Sequence, residues 1–241
     1  MKRMLAVLVA ALALPASVSG GTPITVFAAA SLTEVLPRID KSPRYSFAGS
    51  DQLAIQIQQG APADVFAAAS PKQPELLFRA GFVRKPVVFA TNRLIVLVPR
   101  SNPAHIQSVY DLRRDGVKIV IGDRTVPIGT YTRQILDTLG ITAEVTRNVV
   151  SEETDVKGIV TKVALGEADA GFVYRTDAKP VASRTLSVAL PGWAQPAIRY
   201  EVAVVKASSR PQAAAAFVKK LRSKQGRLLL KQAGFGLPRL P

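Results

Sequence analysis

Residues 24–34 read ITVFAAASLTE, an apolar run that suits a buried strand and leads directly into a helix whose first turn begins at a serine. Ser31 and Glu34 have the S-x-x-E spacing of a capping box, in which hydroxyl and carboxylate each take a backbone N–H at the helix start. The N–H groups left over at such a turn, with the positive end of the helix behind them, suit an anion. FAGS at 47–50 repeats the pattern. Gly49 lets backbone come close to a ligand, and Ser50 is placed to cap the helix opened by Asp51 while keeping its hydroxyl and N–H at the strand end. Residues 60–70, GAPADVFAAAS, give a turn, a short buried strand and a run of small side chains where backbone could approach a ligand. VPIGTY (126–131) opens a helix that ends at Gly140, and SEETDV (151–156) opens another that Thr154 or Asp155 can cap. DAGFVY (169–174) ends a strand on Tyr174, whose ring can be buried while its hydroxyl reaches a cleft. Singly, each segment has a structural explanation: a cap, a tight strand, a core tyrosine. Their recurrence makes an anion site arguable.

Other chemistries fit less well. Neither Ser31 nor Ser50 lies in G-x-S-x-G, and the single histidine, His105, sits in the turn SNPAH, a poor place for a general base. There is no cysteine, which excludes disulfides, thiolate metal sites and acylation of a lipoprotein cysteine. The acidic clusters Glu152, Glu153, Asp155 and Glu167, Asp169 read as helix-start charges and solvated loop acids rather than metal ligands. The formal charge is +15, and much of the excess lies between Lys206 and Arg239. There basic residues alternate with Phe217, Val218, Leu221 and Leu228–Leu230, as on the solvated face of amphipathic helices. Few aromatics accompany them, which argues against nucleic-acid binding. A carboxylate ligand would want an arginine fork, for which Arg124, Arg133 and Arg175, beside Tyr174, are the candidates.

The elements that must position these residues alternate between strand and helix. Strands are expected at 24–28, 45–48, 64–68, 94–98, 117–121, 144–149, 170–174, 185–189 and 200–205. Helices are expected at 32–39, 51–58, 74–80, 109–114, 130–139, 155–165, 212–221 and 224–232, with Pro37 ending the first early. The alternation predicts an α/β protein with mostly parallel sheets and a ligand at the strands' carboxyl ends. Asn102-Pro103 and Pro191-Gly192 punctuate two crossings between lobes, giving lobe one as 23–98 plus 199–241 and lobe two as 99–198. Residues 1–20 have a basic start at Lys2 and Arg3, an apolar run Met4–Leu14 too short to span a bilayer, and a small-residue tail. They read as an export signal, whose removal would leave a charge of +13.

Together, VFAAASLTE (26–34), FAGS (47–50), GAPADVFAAAS (60–70), VPIGTY (126–131), ETDVKGIV (153–160), GEADAGFVYRTDA (166–178) and YEVAVV (200–205) resemble the periplasmic molybdate-binding proteins of ABC transporters. The resemblance covers nearly the whole exported chain. It implies the two-lobed type II periplasmic binding protein fold, with the anion held between lobes by Ser31, Ser50, Ala69, Ile128, Val156 and Tyr174. In that assignment the serines act through hydroxyl and backbone N–H, Tyr174 through its hydroxyl, and Ala69, Ile128 and Val156 through backbone N–H. No side chain would ligate the metal, which enters only as molybdate or tungstate. The resemblance further implies no catalysis, no cofactor and delivery to a membrane permease with its ATPase. The protein is expected to be a monomer without a nucleic-acid partner, in a periplasm or at an extracytoplasmic surface. The alternative is a protein of the same fold for sulfate, another oxyanion or an organic acid. Two positions depart from the family pattern: Asp51, expected to face solvent, and Ile128, bulkier than usual.

Overall fold

The computed structural model describes residues 22–238. The expected export segment therefore lies outside the described residues. The first sheet contains β1 (Thr25–Ala29), β2 (Arg44–Ala48), β3 (Val65–Ala68), β4 (Val87–Asn92) and β10 (Ile198–Val204), in the spatial order β2-β1-β3-β10-β4. The second contains β5 (Leu94–Pro99), β6 (Ile119–Gly122), β7 (Val149–Glu153), β8 (Ala170–Tyr174) and β9 (Thr185–Ala189), in the order β7-β6-β8-β5-β9. The two sheets follow one plan. Three parallel strands, β2-β1-β3 or β7-β6-β8, are extended by antiparallel strands, β10 and β4 or β5 and β9. Every residue of β3, β5, β6 and β8 is buried, as expected of strands covered by helices on both faces.

Nine helices flank the sheets among the described residues: α1 (Leu36–Ile39), α2 (Ser50–Gln58), α3 (Lys72–Arg79), α4 (Pro127–Leu139), α5 (Thr142–Thr146), α6 (Val156–Leu165), α7 (Arg175–Ala178), α8 (Pro211–Arg222) and α9 (Lys224–Ala233). Helices α8 and α9 bury Ala214, Phe217, Leu221 and Leu230, while Lys219, Lys220, Lys224 and Lys231 are exposed, so the basic C-terminal run is a solvated face.

Several sequence expectations need correction. The segment expected as one strand, 144–149, ends helix α5 and begins β7; its apolar spacing fits either period over so few residues. The helix expected over 32–39 is broken into a 3-10 turn, Ala30–Leu32, and the short α1. Pro37 does not end a helix but lies in the first turn of α1, where its missing N–H costs nothing. Strand β5, expected to close the first lobe, pairs with β8 and β9 in the second sheet. The chain therefore first changes sheet at Arg93, between β4 and β5, and not at Asn102-Pro103. β4, unanticipated, is the last strand of the first sheet before that step.

The GAPADVF segment owes its aspartate to architecture. Asp64, 2% exposed, accepts from Thr25 N at 2.7 Å, Ser208 Oγ at 2.6 Å and the Arg210 guanidinium at 2.8 Å. One buried carboxylate thus ties the start of β1 to the segment leading into α8, with its oxygens hydrogen-bonded as burial requires.

Candidate anion-binding site

The parallel strands of both sheets end facing one small cavity, about 230 Å³ of empty space. Its wall includes Ala29, Ala30 and Ser31 after β1, Gly49 and Ser50 after β2, Ala69 after β3, Val126–Ile128 after β6, Asp155 and Val156 after β7, and Tyr174 at the end of β8. All six residues assigned to the ligand by the resemblance lie in this wall. Four helical starts converge there: the 3-10 turn and α2 from the first lobe, α4 and α6 from the second. First-turn N–H groups have no partner within their own helix, so these starts present a positive concavity.

The local details differ from expectation. Ser31 caps nothing: the residue before the 3-10 turn is Ala29, no side chain closes that end, and Glu34 faces away toward Lys157. Instead Ser31 Oγ lies 2.9 Å from the hydroxyl of Tyr200, which in turn lies 3.4 Å from Asn92 Nδ2. Asn92 Nδ2 can only donate. Tyr200 therefore accepts from Asn92 and shares a further hydrogen bond with Ser31 in which either hydroxyl can donate; when Tyr200 donates, the Ser31 proton is free for the cavity. Ser50 follows the cap position, held by Gly49, and its Oγ accepts from Ala69 N–H at 3.1 Å. The acceptor side of Ser50 is thus occupied by a protein donor. The Ala69 N–H, assigned to the ligand, acts through Ser50. In α6, Asp155 provides the cap, accepting from Lys157 N at 2.7 Å and Gly158 N at 3.2 Å, which leaves the Val156 N–H. Pro127 has no N–H, so Ile128 is the first donor of α4. Ile128 Cγ2 reaches to 2.6 Å from where a Cβ at residue 122 would sit, so its bulk is accommodated by Gly122.

Tyr174 is 2% exposed, and its hydroxyl has no hydrogen-bond partner. Burial, then the neighbouring Tyr200, push its pKa well above the usual tyrosine value, so it stays a donor across the physiological range. Its ring meets Tyr200 edge-on, with centroids 5.7 Å apart.

Among the described residues, no lysine or arginine lines the cavity. Arg133 is paired with Glu152 at 2.6 Å, Arg175 donates to Gly234 O at 2.7 Å, and Arg124 lies on an outer groove beside Thr125. His105 is in an exposed turn. No group of three or more His, Cys, Asp or Glu fit for a metal exists among the described residues. Asp51 does not face solvent as expected. It is half-buried and accepts from Thr125 Oγ1 of the opposite lobe at 2.8 Å, outside the cavity wall.

Tyr200 and Asn92 escaped the sequence reading. Tyr200 lies in β10, 169 residues after Ser31, and nothing local to either signals that they meet.

Comparison with known proteins agrees with this architecture. Residues 24–236 match the family described as bacterial extracellular solute-binding protein. The molybdate-binding protein ModA of Mycobacterium tuberculosis is 39% identical over 229 residues, covering 91% of this chain and 86% of the relative. Among solved structures, the periplasmic molybdate-binding protein of Azotobacter vinelandii superposes with a TM-score of 0.81 at 22% identity, covering 90% of this chain and 100% of that one. The sulfate-binding protein SubI of M. tuberculosis superposes at 0.78 with 19% identity, covering 89% and 86%. These are binding proteins, not enzymes, and the fold is theirs: two α/β lobes of the type II periplasmic binding protein class. The chain belongs to the bacterial extracellular solute-binding protein family, together with the ModA molybdate-binding proteins.

Proposed function

We propose that this protein captures molybdate, and tungstate with it, outside the cytoplasm and delivers it to the permease of an ABC importer. The observation that carries the reading is a small cavity between the lobes, furnished with donors and lined by no cationic side chain of the described residues. Ser31 and Ser50 offer hydroxyl protons, Tyr174 an unpartnered hydroxyl, and Ile128 and Val156 backbone N–H groups from helix starts. Such a set suits a fully deprotonated tetrahedral dianion, which accepts hydrogen bonds and donates none. A protonated phosphate would need an acceptor, and the one carboxylate in the wall, Asp155, commits Oδ1 to capping α6. A mismatch of that kind costs ~1–3 kcal/mol. An organic acid is disfavoured by the small cavity and by the absence of an arginine fork.

The protein works by closure, without covalent chemistry or cofactor, as a monomer with no nucleic-acid partner. The anion bridges donors of both lobes and so favours the state in which they meet. The absence of cysteine supports a free exported protein rather than a lipoprotein. Calorimetric titration of residues 21–241 tests the ligand. Molybdate and tungstate should release heat and saturate at one site, with phosphate silent; heat with sulfate and none with molybdate would overturn the assignment. Tyr174→Phe tests the site. It removes a hydroxyl without a protein partner, so thermal stability should hold or rise slightly. Molybdate affinity should drop roughly 10- to 100-fold, the ~1.5–3 kcal/mol of a hydrogen bond to a charged group. Unchanged affinity would remove Tyr174 from the site.

A further inference from the structure

Beside the cavity, Lys157 stands between the lobes. It follows Val156 in the first turn of α6, and its ammonium lies 3.6 Å from two carboxylates, Glu34 of the first lobe and Asp177 of the second. The two partners differ in kind. Asp177, on α7, is 1% exposed, and neither of its oxygens has a hydrogen-bond partner. Glu34 is largely open to water, its side chain 57% exposed. Lys157 and Asp177 belong to one lobe, so their spacing survives any rigid movement of one lobe against the other. The spacing of Lys157 to Glu34 does not, because Glu34 is carried by the segment after β1. The lobes are in contact in this structure: Thr125 donates to Asp51 across the cleft, and a Cβ on Gly49 would lie 2.5 Å from Thr154 O.

We propose that Lys157 is a positioning residue for closure, a cation anchored beside buried Asp177 that captures Glu34 only when the lobes meet around the anion. Asp177 keeps the long side chain of Lys157 near the cleft rim in both states, which lowers the entropy lost when Glu34 arrives. The Glu34–Lys157 attraction is formed on closing and must be broken before the anion leaves. It therefore retards release more than it speeds capture. Lys157 touches the anion in neither state, since Asp155 and Val156 line the cavity at this point and Lys157 does not. The proposal rests on the anion reading of the cavity.

A double-mutant cycle tests it, with Glu34→Gln, Lys157→Gln and the pair measured against the parent protein by molybdate titration and stopped-flow release. Trp193, the only tryptophan, lies in the segment that returns the chain to the first lobe and supplies the fluorescence signal. Each single substitution should weaken molybdate binding about two- to fivefold through faster release, the range for a partly exposed ion pair, with no further loss in the double variant. The coupling should shrink in 0.5 M salt. Asp115→Asn removes a charge from a pair within the second lobe, Asp115–Arg147, and should leave affinity unchanged. Thermal melts of the ligand-free proteins should show no Glu34–Lys157 coupling, because the pair is absent in the open form. Additive effects on binding, or equal coupling in the ligand-free melts, would overturn the latch. A parent protein that fails to bind molybdate would instead overturn the ligand assignment.

Discussion

Gly49→Val should abolish measurable molybdate binding while leaving a folded protein. Gly49 has φ −59° and ψ 137°, a conformation open to any L-residue, so the substitution strains no backbone. The obstacle lies across the cleft. A Cβ at this position would sit 2.5 Å from the carbonyl oxygen of Thr154 and 3.2 Å from Val126 Cγ1, both on the opposite lobe. Asp51 Oδ1, at 2.7 Å, belongs to a side chain that can rotate away; the Thr154 carbonyl belongs to backbone and cannot. The lobes must then stop short of full contact, and a ligand held by the first lobe loses the donors of the second. In the proposed site those donors are Ile128, Val156 and Tyr174. Three lost hydrogen bonds to a charged group amount to ~4.5–9 kcal/mol, a fall of roughly 10³- to 10⁶-fold. Gly49→Ala should show the same effect at the lower end of that range. Titration beside a melting curve of the ligand-free protein separates blocked closure from misfolding. A Gly49→Val protein that binds as tightly as the parent would mean that the lobes do not close at this contact.

Asp177→Asn should make the fold more stable at neutral and alkaline pH. Asp177 is buried with no hydrogen bond to its oxygens, and that burial raises its pKa to about 7, with Lys157 pulling the other way. The folded protein therefore holds this proton more tightly than the unfolded chain, whose aspartate titrates near 3.8. Below about pH 4 both states are protonated and the group has no effect. Between pH 4 and 7 the unfolded chain releases its proton while the folded one keeps it, so stability declines as pH rises. Above pH 7 both are ionised and the penalty is constant. Three units correspond to ~4 kcal/mol, an upper figure because water can enter and Lys157 can adjust. Asparagine has the same shape and no charge to bury. Its advantage over the parent in urea melts should be absent at pH 4, grow through pH 6 and level off by pH 8. The same difference at every pH would mean that Asp177 keeps an ordinary pKa in the fold.

The segments that line the cavity were legible in the sequence because each is local. A strand end, a small residue and a helix start within ten positions dictate their own geometry, and FAGS, VPIGTY and ETDV each form a helix start on the cavity wall. The strands at 170–174 and 185–189 were legible for the same reason, as apolar runs bounded by turn residues. The segment 144–149 was not, because a run of six residues that begins in a helix and ends in a strand has no single period.

The sequence by itself determined the α/β class and the strand–turn–helix segments that come to line the cavity. Those follow from composition and from periodicities a few residues long. Only the tertiary structure decided which sheet β5 joins, that Tyr200 meets Ser31 and Ala69 fills the acceptor side of Ser50, and that Asp51 and Lys157 reach across the cleft. These depend on groups far apart along the chain, brought together by strand pairing and the packing of one lobe on another. Pairing energies of that kind are sums over many weak contacts, and no short stretch of residues encodes them.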